Sequence, residues 1–183
     1  LAFSERGTAL ASASADQTCI SWDLERGEET MRFSGHESEV YGVRFVPKSE
    51  SLLSCSFDRS IRLWDLRSGK ESQRLLGHED VILGVDIRNE WLVASGSDDG
   101  TARLWDLRHG GKQLAVMLHH SGEVKRVKFS SKGDFLATTS GDRTVRVYSV
   151  SSLHCQAVLT GHSDHVFDVA WSSTDEFLVS ASH

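Results

Sequence analysis

Two sets of residues repeat the ingredients of a serine hydrolase. They are His36, Ser54 or Ser56, Asp58 and Trp64, and then His78, Ser95 or Ser97, Asp99 and Trp105. A nucleophilic serine needs an adjacent base and an oxyanion hole, and an enzyme has no reason to copy that site in every repeat. Buried polar groups, in contrast, must be paired wherever they occur. We therefore predict a structural hydrogen-bond network in each repeat, with no catalytic residue and no cofactor.

A regular ladder of histidines shows which elements position these sets. His36, His78, His120 and His162 lie 42 residues apart. An aspartate follows each of the first three by 21 or 22 residues, and an aromatic residue follows that aspartate by six. A period of about 40–45 residues that opens with Gly-His and closes with Trp-Asp is typical of a β-propeller. The sequence therefore predicts an all-β protein of stacked four-stranded antiparallel blades.

Short runs with alternating apolar and polar residues lie between Gly, Asp, Asn and Ser turns, and no helical pattern of useful length occurs. In the second repeat, for example, the predicted strands are Val40–Val46, Ser51–Ser56, Ile61–Leu66 and Gln73–Leu76. The predicted units are a partial blade at 1–34, complete blades at 35–76, 77–118 and 119–160, and a partial blade at 161–183. Because both ends fall in mid-repeat, we expect the chain to be part of a longer protein.

The segments Gly35-His36 to Trp64-Asp65 and Gly77-His78 to Trp105-Asp106 resemble the WD-repeat family of β-propellers. The resemblance covers the whole chain and implies strands a, b and c after Gly-His and an outer strand d after Trp-Asp. It also implies about four and a half blades of a ring that usually has seven. In the family, the His, Ser, Asp and Trp set is a structural tetrad. The function implied is a non-enzymatic protein-interaction scaffold.

The fourth repeat departs from this pattern. It has His119-His120 in place of Gly-His and Tyr148-Ser149 in place of Trp-Asp. Tyrosine carries a hydroxyl at its tip instead of an N–H on its flank. We therefore predict that the network of His120 and Asp142 is incomplete and that this is the least stable of the complete blades.

Composition narrows the choice of partners. A net charge of −6 argues against nucleic-acid binding, which relies on Lys and Arg to neutralise phosphates. No apolar run is long enough to span a membrane, so no membrane partner is expected. The cysteines are three in number and widely spaced, which favours free thiols in the cytoplasm or nucleus. Four of the nine histidines occupy the repeat position and no four-ligand set with the usual spacing occurs, so no metal site is expected. An interaction scaffold also implies no small-molecule substrate.

The family resemblance also implies where partners bind. They often occupy the face formed by the d–a loops and b–c turns, which we call the loop face. Its candidate contact residues are Glu39, Tyr41, Phe57, Asp80, Ile82, Asp98, Lys125, His165 and Phe167. Aromatic rings beside carboxylates suit a protein or peptide with a basic or aliphatic anchor. The alternative is solvated charge, with aromatic side chains that cover the mouth of the channel.

Two narrower functions stay open. Trp64–Arg67 and Trp105–Arg108 resemble the WDxR motif of substrate receptors for cullin-RING ubiquitin ligases, in which Arg67 and Arg108 would dock the adaptor. The first repeat departs from this motif, because Glu25 takes the place of the arginine. The run from Gly35 to Ser38 and the Asp-Leu-Arg ends resemble the G-protein β subunits, which would make the chain a signalling subunit.

Overall fold

The computed structural model describes residues 1–183 and consists almost wholly of β-strands, with one short 3-10 helix at Leu107–His109. The strands form four four-stranded sheets and one two-stranded sheet, and neighbouring strands run antiparallel. Each sheet pairs its strands in an unbroken spatial order from inner to outer strand. The prediction of an all-β protein built from four-stranded antiparallel blades is confirmed, and the chain is a partial β-propeller.

We call each sheet a blade and number the strands in chain order. The first blade consists of β1 (Ala2–Phe3), β2 (Ala9–Ala13), β3 (Thr18–Asp23) and β4 (Glu28–Ser34). The second consists of β5 (Val40–Phe45), β6 (Ser51–Ser56), β7 (Ser60–Asp65) and β8 (Glu71–Leu76). The third consists of β9 (Ile82–Ile87), β10 (Leu92–Ser97), β11 (Ala102–Asp106) and β12 (Lys112–Met117). The fourth consists of β13 (Val124–Phe129), β14 (Phe135–Ser140), β15 (Val145–Ser149) and β16 (Cys155–Leu159), and the fifth of β17 (Val166–Trp171) and β18 (Leu178–Ser182).

A β-bulge explains the largest difference between the predicted and observed strands of the second blade. The outer strand β8 begins at Glu71, two residues before the predicted start at Gln73. Leu63 pairs with Gln73 whereas the next residue, Trp64, pairs with Glu71, so Ser72 is the extra residue on the outer strand. A bulge adds one residue to one side of a ladder and lets pairing continue beyond it. The alternating apolar pattern does not reveal the bulge, because the register changes within the strand.

Apolar side chains are buried between successive blades. Leu53, Cys55 and Ile61 of the second blade form one cluster with Val93 and Trp105 of the third. Full burial of a Val, Leu or Ile side chain stabilises the fold by roughly 1.5–3 kcal/mol. The stacking of one blade on the next therefore supplies the main stabilisation of the array.

Asp86 links the inner strands of three blades. Its carboxylate accepts hydrogen bonds from Arg44 of the second blade at 2.9 Å and from Lys128 of the fourth at 3.2 Å. The backbone N–H of Phe129 donates to the same carboxylate at 2.9 Å. Asp86 is only 5% exposed, so a buried charge is paired with two cations and one amide. These hydrogen bonds hold the inner strands of the second, third and fourth blades together.

Candidate functional site

The second blade contains a continuous hydrogen-bond network. His36 Nδ1 lies 2.7 Å from the Asp58 carboxylate, and His36 Nε2 lies 2.7 Å from Ser54 Oγ. The indole of Trp64 donates to the same Ser54 oxygen at 2.8 Å. The structure thus distinguishes the two serines that the sequence left open, since Ser54 and not Ser56 occupies the centre of the network.

The third blade repeats this geometry. His78 Nδ1 lies 2.7 Å from Asp99 and Nε2 lies 2.7 Å from Ser95 Oγ, to which Trp105 donates at 2.8 Å. Ser95 is fully buried between the imidazole and the indole. A substrate cannot reach an oxygen so enclosed, and the hydrogen bonds leave no free base beside it. The arrangement therefore lacks what a nucleophilic serine requires.

Ser56 and Ser97 have a different task, which is to fix the loop face. Ser56 donates to the backbone carbonyl of Ser38 at 3.1 Å, and Ser97 donates to that of Asp80 at 3.0 Å. The Asp58 carboxylate also accepts from the backbone N–H of Glu37 at 3.1 Å. Each d–a loop is thus tied to the b–c turn of its own blade. The networks hold the loops that carry the candidate contact residues.

Protonation follows from burial and from these hydrogen bonds. Burial alone would raise the pKa of Asp58 and Asp99, but donors from the histidine, from Ser60 or Thr101 and from the backbone reverse the effect and hold each pKa well below its ordinary value. Burial lowers the pKa of His78, although the hydrogen bond to Asp99 acts in the opposite sense. The network of the third blade therefore combines an ionised carboxylate with a neutral imidazole near neutral pH.

An arginine extends each complete network, and sequence reasoning missed it. Arg62 is 2% exposed and donates to Glu71 at 2.8 Å and to Asp58 at 3.3 Å. Arg103 donates to Gln113 at 2.8 Å and lies 3.5 Å from the Asp99 carboxylate. The signal that could have revealed these residues is an arginine two positions before Trp64 and again before Trp105.

The fourth blade holds only part of the network. His120 reaches Asp142 at 2.8 Å and Thr138 at 2.6 Å, but no indole donates to Thr138. Tyr148 occupies the place of the tryptophan and is fully buried, which raises the pKa of its phenol to about 12. Its hydroxyl lies 3.4 Å from His119 Nδ1.

The arginine of the fourth blade has lost its outer partner. Cys155 pairs with Tyr148 across the strands, as Glu71 pairs with Trp64 in the second blade. A thiol is a weak acceptor in place of a carboxylate, and Nε of Arg146 is buried without a hydrogen-bond partner. The buried hydroxyl of Thr139 is also unpartnered, whereas the second blade has one such atom, on Gln73.

An aromatic pair lies on the loop face of the second blade. The rings of Tyr41 and Phe57 stack with centroids 5.7 Å apart and planes inclined by 20°. Tyr41 is 52% exposed, and Glu39 beside it is exposed too. The backbone N–H of Phe57 donates to the carbonyl of Glu39 at 2.9 Å, so a hydrogen bond links the turn to the loop.

The prediction of Ile82 as a loop-face contact is wrong. Ile82 is 1% exposed and belongs to the apolar cluster between the second and third blades. β-bulges at the starts of β5 and β9 insert the fifth residue after the repeat histidine, which is Tyr41 in the second blade and Leu83 in the third, and Leu83 is itself only 6% exposed. Ile82 corresponds to Val40 and Val124, which are buried as well.

The fourth and fifth blades place their loop-face residues in one ion-paired cluster. Glu123 lies 2.9 Å from Lys125 Nζ and 3.2 Å from His165 Nδ1. The hydrogen bond from Lys125 lowers the pKa of Glu123. Lys125 also lies over the ring of Phe167 at 5.8 Å, and the ring of His183, which the sequence did not single out, meets Phe167 edge-on at 5.2 Å.

The two candidate adaptor-docking arginines have unequal surroundings. Arg67 is exposed, and only its backbone N–H is bound, by Asp65 at 3.1 Å. Arg108 donates to both oxygens of Asp106, at 3.0 and 2.8 Å, and its guanidinium lies 3.6 Å above the ring of Trp91. Arg67 is thus available to a partner, whereas Arg108 must first leave Asp106.

Three further observations concern cofactors and surroundings. No group of three or more His, Cys, Asp or Glu side chains is arranged to hold a metal ion. No helix of the chain has the length and apolar character needed to cross a bilayer. All three cysteines are free, and burial raises the pKa of Cys19 and Cys55 to about 12.

Comparison with known proteins gives the family. The repeat pattern described as WD domain, G-beta repeat matches residues 1–23, 27–65, 69–106, 111–149 and 153–183. The guanine nucleotide-binding protein subunit beta-1 of Nicotiana tabacum is 30% identical over 184 residues, which cover 95% of this chain and 38% of that protein. The nuclear distribution protein PAC1 of Arthroderma benhamiae is 30% identical over 188 residues, which cover 98% of this chain and 32% of that protein.

A shorter match leads to protein HIR1 of Phaeosphaeria nodorum, which is 38% identical over 74 residues. That match covers 38% of this chain and 7% of HIR1. The chain therefore spans well under half the length of each of these three relatives. Because the family pattern recurs in five segments along the chain, this protein belongs to the WD40 repeat family.

Proposed function

We propose that this chain is a protein-interaction scaffold that binds a peptide or a protein domain on its loop face and performs no chemistry itself. Membership of the WD40 family and the similarity to WD-repeat relatives support a scaffold in general terms. The observation that carries the proposal is the stacked Tyr41–Phe57 pair, which is half-exposed on a face whose loops are held in place. Rigid scaffolds with functional loops are the usual arrangement for recognition.

The networks of the second and third blades serve this function by preorganising the face. Glu37 N–H is held by Asp58, and Glu79 N–H is held by Asp99, each at 3.1 Å. A loop fixed before binding loses less conformational entropy when a partner arrives. The repeated His-Ser-Asp-Trp sets are thus the support of the binding face.

The chemistry of the face favours a protein partner with a basic or aliphatic anchor. An exposed aromatic pair supplies a large rigid contact, and the carboxylates around it supply charge complementarity. The net charge of −6 disfavours nucleic acid, and the proposal includes no membrane, cofactor or small-molecule substrate. Three free cysteines support a cytoplasmic or nuclear location.

Photo-crosslinking in the full-length protein tests this proposal. A benzophenone amino acid replaces Tyr41, and a matched control replaces Phe177, which is 69% exposed and lies between β17 and β18 on the opposite face. Crosslinks to a protein partner from position 41, and none from position 177, are expected. Crosslinks from position 177 alone would overturn the proposal.

A ubiquitin-ligase substrate receptor is a second candidate, favoured by the exposed guanidinium of Arg67. Adaptor docking through this residue predicts that Arg67→Ala abolishes co-purification of the ligase adaptor. Arg108→Ala is expected to have the smaller effect, because Asp106 and Trp91 already hold that side chain. Adaptor binding that survives the double substitution sinks this candidate.

A G-protein β-like signalling subunit is a third candidate, favoured by the match to a guanine nucleotide-binding protein subunit over 95% of the chain. The nuclear distribution protein PAC1 matches 98% of the chain at the same identity, so the match alone does not separate the two relatives. Co-purification of the full-length protein with the remaining G-protein subunits is the expected result. Their absence from the purified complex eliminates the candidate.

A further inference from the structure

Five carboxylates on the loop face of the second and third blades have no cationic partner. We call these residues the acidic sector: Glu37, Glu39, Glu79, Asp80 and Asp98. None of them forms a salt bridge, although 18 such contacts occur elsewhere in the chain. Like charges gathered on one surface repel one another. A cationic partner would remove that repulsion.

The loop face of the fourth and fifth blades differs in this respect. There Glu123 is satisfied by Lys125 and His165, and Lys125 lies over the ring of Phe167 as well. Lys125 acts electrostatically on Asp98 of the acidic sector, but its ammonium group is bound to Glu123. Glu123, Lys125 and His165 are therefore paired with one another, whereas no member of the acidic sector forms an ion pair.

The acidic sector is not neutralised by its own cation either. Arg59 lies in the b–c turn of the second blade, and its guanidinium donates to the backbone carbonyl of Glu79 at 3.3 Å instead of to a carboxylate. Burial and the carboxylates of Glu123 and Asp80 raise the pKa of Asp98, with Lys125 acting in the opposite sense. Burial and like charges thus disfavour the ionised form of Asp98, and Lys125 offsets them only in part.

The aromatic pair adjoins these carboxylates. Glu39 and Tyr41 are two residues apart, and Phe57 stacks on the ring of Tyr41. The contact from Arg59 to Glu79 brings the turn that carries Phe57 against the loop that carries Asp80. An exposed ring beside carboxylates suits a guanidinium, which can stack on the ring and donate in its own plane.

We propose that the acidic sector and the Tyr41–Phe57 pair together bind an arginine side chain of an extended protein segment. This inference rests on the proposed loop-face function and selects the basic anchor over the aliphatic one. The guanidinium stacks on the exposed face of Tyr41 and donates to carboxylates of the acidic sector. The paired charges of the fourth and fifth blades contact the rest of the partner without contributing to the anchor.

Fluorescence anisotropy on the full-length protein tests the anchor. The probes are three labelled heptapeptides, Gly-Ser-Xaa-Gly-Xaa-Ser-Gly, in which Xaa is arginine, citrulline or norleucine. Citrulline keeps the shape of arginine and removes its charge. The arginine peptide is expected to bind at least tenfold more tightly than the citrulline and norleucine peptides. Tyr41→Ala is expected to weaken binding of the arginine peptide.

A charge-matched pair of variants locates the interaction. Glu39→Gln, Asp80→Asn and Asp98→Asn together are expected to weaken arginine-peptide binding about tenfold, because three exposed carboxylates lose the charge that attracts the guanidinium. The control carries Glu5→Gln, Glu50→Gln and Glu90→Gln, which remove the same charge from exposed residues on the opposite face. The control is expected to bind like the unaltered protein.

Three results would overturn the anchor, and they bear differently on the proposed function. Equal weakening by both triple variants shows non-specific charge attraction. Preference for the norleucine peptide together with loss on Tyr41→Ala rejects arginine but keeps the loop face as the binding surface. Arginine-peptide binding that neither Tyr41→Ala nor the acidic-sector variant changes contradicts both the anchor and the loop-face function.

Discussion

The second and fourth blades start from the same repeat, and two of the differences between their buried networks remove hydrogen bonds. In the second blade Trp64 donates to Ser54, and Glu71 accepts from Arg62. In the fourth blade these positions hold Tyr148 and Cys155, and Nε of Arg146 is left without a partner. A network that is complete stabilises its surroundings, whereas one that is partly satisfied leaves buried polar groups unpaired. The fourth blade therefore keeps the strand arrangement of the repeat although it lacks the hydrogen bonds that the indole and the outer carboxylate make in the second blade.

The largest effect is expected from Trp64→Phe compared with Tyr148→Phe. Trp64→Phe removes the indole that donates to Ser54 and also leaves a cavity, so the free energy of unfolding should fall by about 2–3 kcal/mol. Tyr148→Phe removes only a hydroxyl whose contact with His119 is 3.4 Å long, and should cost well under about 1 kcal/mol. Urea unfolding of both variants measures the difference. Equal losses would show that the indole donor is unimportant.

Acidification is expected to destabilise the blades in two stages. Burial lowers the pKa of His78 and His120, so below about 6.5 the unfolded chain binds protons that the folded chain does not, and stability falls as the pH falls. Asp58 and Asp99 have lowered pKa values too, so their contribution is lost at more acidic pH, below about 4. Urea midpoints between pH 7 and pH 3 check the sign. A midpoint that rises between pH 7 and pH 5 contradicts the neutral histidines.

A substitution in the outer strand of the fourth blade can restore an acceptor for Arg146. Cys155→Glu places a carboxylate opposite Arg146, at the position that Glu71 occupies opposite Arg62. The free energy of unfolding is expected to rise by about 0.5–1.5 kcal/mol, the usual net value of a new hydrogen bond. Cys155→Gln is the matched control without charge and should give the smaller gain. A destabilised Cys155→Glu protein with a stable Cys155→Gln counterpart would show that the arginine does not reach this position.

The smallest difference in stability is expected between alanine substitutions of the two WDxR arginines. Arg108→Ala removes a guanidinium stacked on Trp91 and is expected to cost about 0.5–1 kcal/mol. Arg67→Ala removes an exposed side chain without contacts and should change stability by less than about 0.5 kcal/mol. Thermal unfolding of the two single variants separates them, and a larger loss for Arg67→Ala would reverse the assignment.

The sequence predicts the blades well because the spacing between the marker residues of each repeat is nearly constant. Spacing alone identifies His36, Asp58 and Trp64 as partners, and the structure places them in one network. It cannot choose between Ser54 and Ser56, since residues two apart on a strand point to the same face.

Other features escape the sequence for physical reasons. The prediction of Ile82 is wrong because this residue lies four positions after its repeat histidine, whereas Tyr41 and Lys125 lie five after theirs. A shift of one residue exchanges the buried and the exposed face of a strand. The pairing of Arg108 with Asp106 and Trp91 depends on the local turn and on a neighbouring strand. The roles of Arg62 and Arg103 emerge only when the outer strand is seen beside them.

Amide hydrogen exchange measured by mass spectrometry shows whether the complete networks stabilise the second and third blades and whether the fourth blade lacks this support. Because exchange reports local opening, amides of Phe135–Ser140 should exchange faster than those of Ser51–Ser56 and Leu92–Ser97, the corresponding strands of the second and third blades. Equal or slower exchange in the fourth blade would contradict the account.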